Sequence, residues 1–464
     1  MYLKFFLLLL LLFRTISLSI FSQDIPSEFP SNYVFNLKLD VGDGWSNNKI
    51  GLISWQDLNQ ETENQDSVFL GYRIGSGLFI NQSFISYSPY FYGRSVIFKN
   101  FYIYLFSSAI DRHKETNLNG FSGKKLERSR FGLSSAETDL AGIGYKNQWL
   151  KLQYGRGREV IGKNNIISLI LSEDSPSYDY GLIGFQYKKI QTKYFHGFLE
   201  NKDNINRYIN GRSIAYNNNS NFILSLSEII VYSGLNRTID LAYLNPIASH
   251  LEIEFNDRQN IPNSGSGNAV WLVSSDYLYN SVYRFTANIL IDELIIDSEQ
   301  KNEGKNNGIG YSFRLSRAWE KENSILGVNA HYLNIGSKVF RHEDGYNNFI
   351  SRGKPLGWKY GSNGLEYGFN VYYLFFNKFI AEINYGKRII GEESIIFNSY
   401  DPYDNYNSLN NIIAPKYNLN YLNIKFDYWL GKNFTALGNI ELISKTSSKL
   451  EAKFTFGFDI YIYN

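Results

Sequence analysis

The chain has 464 residues, and its 46 Lys and Arg nearly balance its 44 Asp and Glu, so charge gives no reason to expect nucleic acid as a partner. It contains no cysteine, which excludes disulfides, thiolate metal sites and a lipid anchor on an N-terminal cysteine. Aromatic residues make up 17% of the chain, with 37 Tyr and 34 Phe. This composition is typical of strands, and of the girdles and lipid-facing bands of membrane barrels.

The first residues predict a secretory signal peptide. Lys4 precedes an apolar run at 5–13, and small residues follow at Ser17, Ser19 and Ser22. The run is about half as long as a spanning helix requires, and Arg14 interrupts it, which disfavours retention as a membrane anchor. Cleavage could follow Ser19 or Ser22. We predict a signal peptide at 1–22 and a single domain at 23–464 that begins with a short periplasmic lead.

The last strand gives the clearest pattern of alternation. One face carries Phe454, Phe456, Phe458, Ile460 and Ile462, and the other carries Thr455, Gly457, Asp459, Tyr461 and Tyr463. Such a closing strand resembles the signal that the barrel-assembly machinery reads, although the chain ends in Asn464 and not in an aromatic residue. The alternative is an edge strand of a soluble sandwich, but an apolar face this aromatic would invite aggregation there.

Further strands and hairpins are predicted along the chain. They lie at 33–41, 68–74 with 78–85, 141–145 with 149–154, 182–187 with 191–198, 367–375 with 379–385, and 421–430 with 434–443. Longer polar stretches at 111–130, 256–268, 297–307 and 397–411 are predicted to be extracellular loops. At roughly 24 residues per strand and connection, the chain holds about 18 strands. The predicted fold is an all-β, transmembrane, antiparallel up-and-down β-barrel whose helices are short, and no second apolar stretch is long enough for a helical membrane protein.

Catalytic motifs do not suggest an enzyme. The five histidines have no metal-ligand spacing, so neither a metal nor a cofactor is expected; they are His113, His196, His250, His331 and His342. No helical pattern follows the glycine-rich run at 155–158 to form a phosphate-binding loop. Glu252 and Glu254 alternate on what we expect to be a strand, and two such acids in a barrel lumen are common.

The segment at 224–257 resembles the central region of the Wzi-type capsule assembly proteins, which are outer-membrane barrels. The resembling residues there are Ser227, Glu228, Tyr232, Asn236, Arg237, Asp240, the run 243–246, Glu252 and Glu254. Upstream they are 154–156, Gly162 and 168–172, and downstream 283–284 and 290–293. The resemblance implies a barrel of 18 strands with a plugged lumen, an additional helical element and lectin-like behaviour toward capsular or extracellular polysaccharide.

The side chains of these segments suit a carbohydrate site. Carboxylates and Asn hydrogen-bond to sugar hydroxyls, Arg engages acidic sugars, and Tyr rings stack on sugar faces. The candidates are Arg156, Arg158, Glu228, Tyr232, Arg237, Tyr243, Asn245 and Glu254. We expect them to line the lumen, and Arg237→Ala to release glycan while the barrel still folds. A structural alternative stands beside each: Glu and Arg can pair across the lumen, and Asn-Pro can set a turn.

Three classes of function remain open at this stage. The first is a non-enzymatic outer-membrane protein of a Gram-negative bacterium that assembles or attaches surface polysaccharide. The second is a porin or substrate-specific channel, for which an open lumen would be the sign. The third is an outer-membrane hydrolase, which is disfavoured because no nucleophile, base and orienting residue can be named together.

Overall fold

The computed structural model describes residues 69–463 apart from 82–83, 98–99, 112–124, 131, 164–166, 219, 261–266, 281, 296–297, 305–306, 376–377, 404–414, 432 and 446–449. The predicted signal peptide, the periplasmic lead and the strand at 33–41 lie outside the described residues.

The described part of the chain is almost entirely strand. The strands are β1 (Phe69–Asn81), β2 (Phe84–Ile97), β3 (Phe101–Ile110), β4 (Lys125–Arg130), β5 (Leu133–Lys146), β6 (Leu150–Gly157), β7 (Ile161–Lys163), β8 (Ser168–Leu171), β9 (Tyr178–Tyr187), β10 (Ile190–Lys202), β11 (Ile205–Asn217), β12 (Phe222–Leu235), β13 (Asn268–Tyr279), β14 (Tyr283–Glu293), β15 (Gly308–Lys321), β16 (Ser324–Ile335), β17 (Ile350–Ser351), β18 (Lys354–Pro355), β19 (Gly364–Phe375), β20 (Phe379–Gly391), β21 (Pro415–Gly431), β22 (Phe434–Lys445) and β23 (Glu451–Tyr463). The helices are α1 (Leu241–Leu244), α2 (His250–Phe255), α3 (Ser298–Asn302) and a 3-10 turn at Gly345–Asn347.

Eighteen antiparallel strands form a closed barrel, which confirms the predicted fold. Each barrel strand pairs with the next along the chain, and β1 pairs with β23 to close the cylinder. The small strands β7, β8, β17 and β18 are not part of this wall and form two separate hairpins. Among the described strands, β4 pairs with β5. None of the helices in the described part of the chain is long and apolar enough to cross a membrane.

The closing strand alternates as predicted. Phe454, Phe456, Ile460 and Ile462 are exposed on the outer face. Asp459 and Tyr461 are buried on the inner face. Exposed apolar side chains occupy the outer face of the other strands in the same way, as a lipid-facing band requires.

The first hairpin was predicted to turn at residues 75–77, and this is wrong: β1 continues to Asn81, which pairs with Phe84 on β2. Tyr90 on β2 pairs with Gly75, and its ring lies over this glycine, where a side chain would collide with it. The Tyr90 hydroxyl donates to Asp459 Oδ1 at 2.8 Å on β23. Gly75 therefore gives room for a contact across the seam that closes the barrel, and does not mark a turn.

The other described hairpins form as predicted. The strand ends that their connections join all lie at the end of the barrel where the described chain begins and ends; these are Lys146 and Leu150, Tyr187 and Ile190, Phe375 and Phe379, and Gly431 and Phe434. The strand ends that flank the long connections lie at the opposite end, which we call the extracellular end. Every stretch predicted as a loop falls wholly or mostly between such strand ends. The prediction at 111–130 overlaps β4, and the prediction at 297–307 overlaps α3.

The described residues of three long connections, at 158–177, 336–363 and 392–403, fold into the lumen. Their apolar side chains share one buried cluster with inward-facing residues of the wall, so the lumen is filled there by packed protein. The cluster includes Leu169, Ile170, Phe340, Phe349, Leu356 and Ile395 from the connections, with Phe195, Ile209, Ile229 and Leu272 from the wall.

The connection between β12 and β13 takes a different path. It contains α1 and α2, so the expected strand at Glu252 and Glu254 is wrong. Ser249 caps α2 by accepting a hydrogen bond from the Glu252 amide, and the chain between β12 and β13 is thereby helical where it was expected to be extended. Asp240 caps α1 in the same way, through the Ala242 amide.

Candidate functional site

Arg207 attaches the largest lumen-filling connection to the barrel wall. Its fully buried guanidinium donates to the carbonyl oxygens of Tyr346 at 2.6 Å, Asn348 at 2.7 Å and Ile350 at 2.7 Å. Glu200, on the neighbouring strand β10, accepts from Arg207 Nη1 at 2.5 Å. One buried ion pair therefore fixes the backbone at 346–350, and with it the side chains that this segment presents at the extracellular end.

Two partly exposed tyrosines lie beside each other above Arg207. The rings of Tyr346 and Tyr400 have centroids 6.2 Å apart and are tilted by 40°. The Tyr400 hydroxyl donates to Glu200 Oε1 at 2.9 Å and accepts from the Gly353 amide at 2.9 Å. Burial raises the pKa of Tyr400 to about 12, and the Glu200 carboxylate adds to this, so the hydroxyl remains a donor at neutral pH.

Charged side chains border the tyrosine pair. Lys202 Nζ lies 5.8 Å from the centre of the Tyr400 ring. Arg352 Nη1 and Arg156 Nη2 share Glu137 Oε1, at 2.7 and 3.2 Å respectively. We call the group formed by Arg156, Lys202, Tyr346, Arg352 and Tyr400 the extracellular platform. Its rings and partly exposed cations have the chemistry that suits sugars, because rings stack on sugar faces and guanidinium groups bind carboxylates.

Of the eight residues predicted for glycan binding, the structure places only Arg156 in the platform. Lys202, Tyr346, Arg352 and Tyr400 were missed. They come from separate connections, and the sequence signal around Tyr346 is only a turn-forming run at 343–348, which indicates a loop without indicating its neighbours.

Arg158 lies apart from the platform, in the lumen. It is buried and paired with Asp139 on β5. The adjacent Glu159 pairs with Lys193 on β10. The pairing matches the structural alternative, in which charges inside the barrel satisfy one another.

The predicted lumen position of Glu228 and Tyr232 is wrong. They lie on the same face of β12 as Leu224 and Leu226, which are exposed on the outer surface of the barrel. Both are nevertheless buried, because the connection carrying α1 and α2 packs against the outside of the wall and covers them. Tyr243, His250 and Ile253 form its inner face.

The covered cluster is held together by stacked rings. The Tyr232 ring lies between Tyr208, with centroids 5.1 Å apart, and Tyr243, with centroids 4.5 Å apart. Its hydroxyl is hydrogen-bonded to His196 Nε2 at 2.7 Å. The Arg237 guanidinium lies 4.6 Å from the centre of the same ring. These aromatic contacts attach the helical connection to three wall strands.

Arg237 is engaged within the protein. Its Nη2 donates to Asp240 Oδ2 at 3.1 Å and to Gln259 Oε1 at 3.2 Å, and its Nη1 donates to the Ser233 carbonyl at 2.8 Å. Arg237 and Asp240 are both buried. This burial favours a structural role for Arg237, while its contact with glycan stays a prediction.

Glu254 and Asn245 occupy the edge of the same connection. Glu254 accepts from His250 Nε2 at 3.2 Å and from the Gly267 amide at 3.0 Å. Burial alone would raise the pKa of Glu254, but these hydrogen bonds and the His250 charge lower it below its usual value. Asn245 is exposed, and its side chain accepts from the Ile247 amide at 3.0 Å, which is the turn-setting role expected before a proline.

The fold defines a class, the closed 18-stranded β-barrel of outer-membrane proteins, with a lumen filled by its own connections. Among solved structures, the chain is similar to Wzi from Escherichia coli, described as an outer membrane protein involved in Group 1 capsule assembly and as a carbohydrate-binding β-barrel. The identity is 10%, the TM-score is 0.60, and 84% of each chain is covered.

Two further barrels, both from Pseudomonas aeruginosa, are less similar. OpdK, solved with vanillate, has 8% identity and a TM-score of 0.46 over 86% of this chain and 99% of its own. OprD has 8% identity and a TM-score of 0.45 over 85% and 95%. No family model matches the chain, and no curated protein matches its sequence. These likenesses show a shared barrel fold.

Proposed function

We propose that the protein is a non-enzymatic, lectin-like component of the outer membrane of a Gram-negative bacterium, and that it assembles or attaches capsular or extracellular polysaccharide at the cell surface. The observation that carries this proposal is the extracellular platform, which stands on packed protein that fills the lumen. A lumen filled this way supports binding at the surface over passage through the barrel. The Wzi fold likeness supports the same choice, since that barrel is described as carbohydrate binding.

The platform offers two kinds of contact to a glycan. Tyr346 and Tyr400 present adjacent ring faces at an angle, as a chain of successive sugar rings would require. Arg352 and Arg156 are the bordering guanidinium groups, with 26% and 19% of their side-chain surface exposed. They share the Glu137 carboxylate, and Arg156 Nη1 also donates to Asp179 Oδ2 at 3.3 Å. Because guanidinium groups bind carboxylates and these two are partly exposed, the proposed ligand is a polysaccharide with acidic sugars.

Surface polysaccharide in a deletion strain tests the proposal. The deletion should release polysaccharide into the medium, and the intact gene should restore its retention on cells. Tyr346→Ala should fail to restore retention, because the ring face is lost. Tyr346→Phe should restore it, because the ring is kept and the side-chain hydrogen bond that is lost, the contact to Asp203 Oδ2, is long at 3.4 Å.

Folding must be measured alongside retention. A closed barrel often resists detergent until heated, so the unheated and heated forms should migrate differently on a gel, and this shift should be the same in both variants. Tyr154→Ala, which removes an exposed tyrosine of the wall outside the platform, is the matched control. Full retention with Tyr346→Ala at normal folded abundance would show that the platform does not bind the polysaccharide.

A further inference from the structure

The connection that covers Glu228 and Tyr232 has a second face that is exposed and apolar. We call residues 236–260 the outer hairpin. Its exposed apolar side chains are Ile239, Leu241, Leu244, Ile247, Leu251 and Phe255, of which Ile247 is 88% exposed and Phe255 is 80% exposed. In α2, Leu251 and Phe255 lie one turn apart, on the side of the helix away from the buried Ile253. In water, six such side chains on one short segment would form an exposed apolar patch that calls for a partner.

Strand register places the outer hairpin at the level of the lipid-facing band. Tyr232, beneath the hairpin, pairs with Tyr208, which pairs with the exposed Phe198 on one side. Glu228 pairs with Trp271, which pairs with Ile291 on the outer face at the other side. Because the strands are tilted, a residue's partners on its two neighbouring strands lie at different heights along the barrel axis, one above the residue and one below it. Apolar outward residues therefore flank the covered cluster on both sides, and the cluster lies within the band.

The residues beneath the hairpin explain why the wall needs a cover there. Arg212 and Glu228 form an ion pair on the outer face of β11 and β12, with Nε and Oε2 3.2 Å apart. Tyr194 and Asn210 lie on the same outer face and donate to the Tyr243 carbonyl at 2.7 and 3.2 Å. If these charged and polar groups faced lipid directly, they would destabilise the barrel. The outer hairpin supplies hydrogen-bond partners for these groups, and its own exposed apolar side chains replace them at the outer surface of the barrel.

We propose that the outer hairpin lies in the outer leaflet of the membrane, and that its six apolar side chains contact lipid acyl chains. The surface is continuous with the lipid-facing band, through Leu224 and Leu226 on β12 and Val273 on β13 below it. The buried face makes the polar contacts with the wall, and the exposed surface carries the six apolar side chains together with polar ones such as Asn245, Asn256 and Arg258. Apolar and polar groups also share the surface of amphipathic segments that lie at a membrane interface. The hairpin thus widens the barrel on one side, beside the extracellular platform.

The absence of cysteine from the chain makes the test direct. Single-cysteine variants Ile247→Cys and Phe255→Cys, each carrying a nitroxide spin label, are reconstituted into vesicles of bacterial outer-membrane lipid. Collisions of the label with oxygen, which concentrates in lipid, are compared with collisions with a water-soluble nickel chelate. Leu224→Cys on the lipid-facing wall and Glu343→Cys on the exposed part of a lumen-filling connection are the reference positions.

Labels at 247 and 255 are expected to match the label at 224, with collisions dominated by oxygen. Collisions dominated by nickel, as expected at 343, would overturn the proposal, because the hairpin would then lie in water. Low accessibility to both reagents, together with dipolar coupling between labels on different molecules, would also overturn it, because the surface would then be covered by a second copy of the chain.

Discussion

Arg212 and Glu228 form an ion pair on the outside of the barrel, 3.2 Å apart, under the outer hairpin. Their contact is not a well-directed hydrogen bond, since no Arg212 nitrogen meets hydrogen-bond geometry with any residue that the structure describes. The attraction is therefore mainly between the two charges. Glu228 also accepts from the His250 amide at 3.1 Å and from Trp271 Nε1 at 2.9 Å. It is the carboxylate at which the hairpin and the wall meet.

The first prediction follows from these contacts. Glu228→Leu should destabilise the attachment of the outer hairpin by about 3–5 kcal/mol, because it leaves Arg212 buried and without its counter-charge. Glu228→Gln should cost less, about 1–3 kcal/mol, since the amide oxygen can still accept a hydrogen bond. Trypsin cleavage after Arg258, an exposed residue of the hairpin, measures its detachment in increasing urea. Equal cleavage of both variants and the unaltered protein would show that the ion pair does not hold the hairpin.

The second prediction concerns Arg237. Arg237→Ala should lower stability by about 3–5 kcal/mol, because Asp240 would be left buried and unpaired. Adding Asp240→Asn should recover part of this loss, since the uncompensated charge is removed. The measurement is the temperature at which the folded gel band is lost, with polysaccharide retention expressed per folded molecule. Normal folding with reduced retention would instead support the glycan-binding role expected from the sequence.

A third prediction concerns conduction. Barrels of 16–18 strands enclose an aqueous channel when nothing fills them, so the packed connections should keep single-channel currents low in planar bilayers. Replacing residues 338–361 by a short glycine-serine linker should produce larger currents, because the side chains anchored by Arg207 are removed from the lumen. Large, steady currents through the unaltered protein would favour the channel class of function.

The fourth prediction concerns pH. Burial lowers the pKa of His342, in the connection at 336–363, although the nearby Glu343 and Asp344 carboxylates oppose this. The folded pKa lies below the ordinary value of 6.5, so the neutral form stabilises the packed connection above pH 6.5, and this contribution is lost as the pH falls through the folded value. Protease cleavage within 336–363 should therefore increase on acidification from pH 7 to about 5.

His342→Asn is the control for that experiment, since it cannot titrate and can still offer a hydrogen-bond acceptor to the Asp344 amide, which His342 Nδ1 accepts from at 3.0 Å. The variant should show a smaller pH dependence than the unaltered protein. An identical increase in cleavage in both proteins would assign the pH effect to other groups.

The sequence by itself determined the barrel. Alternation with a period of two, as in β23, settles which side chains share a face of the wall, because successive strand residues point to opposite faces whatever their neighbours are. Short polar turns between long alternating runs likewise determined most hairpins. The predicted break at 75–77 was wrong because Gly75 serves close approach and not a turn, and only the position of the Tyr90 ring shows this.

Tertiary structure alone decided what the polar residues do. Glu228 and Tyr232 alternate out of the lumen, but a sequence cannot show that a later segment will cover them, because α1 and α2 are stabilised by contacts with the wall and are too short to be stable alone. The extracellular platform has the same origin. Arg156, Tyr346 and Tyr400 are brought together by a closed barrel whose long connections fold inward, and that proximity depends on packing between segments that are distant in the chain.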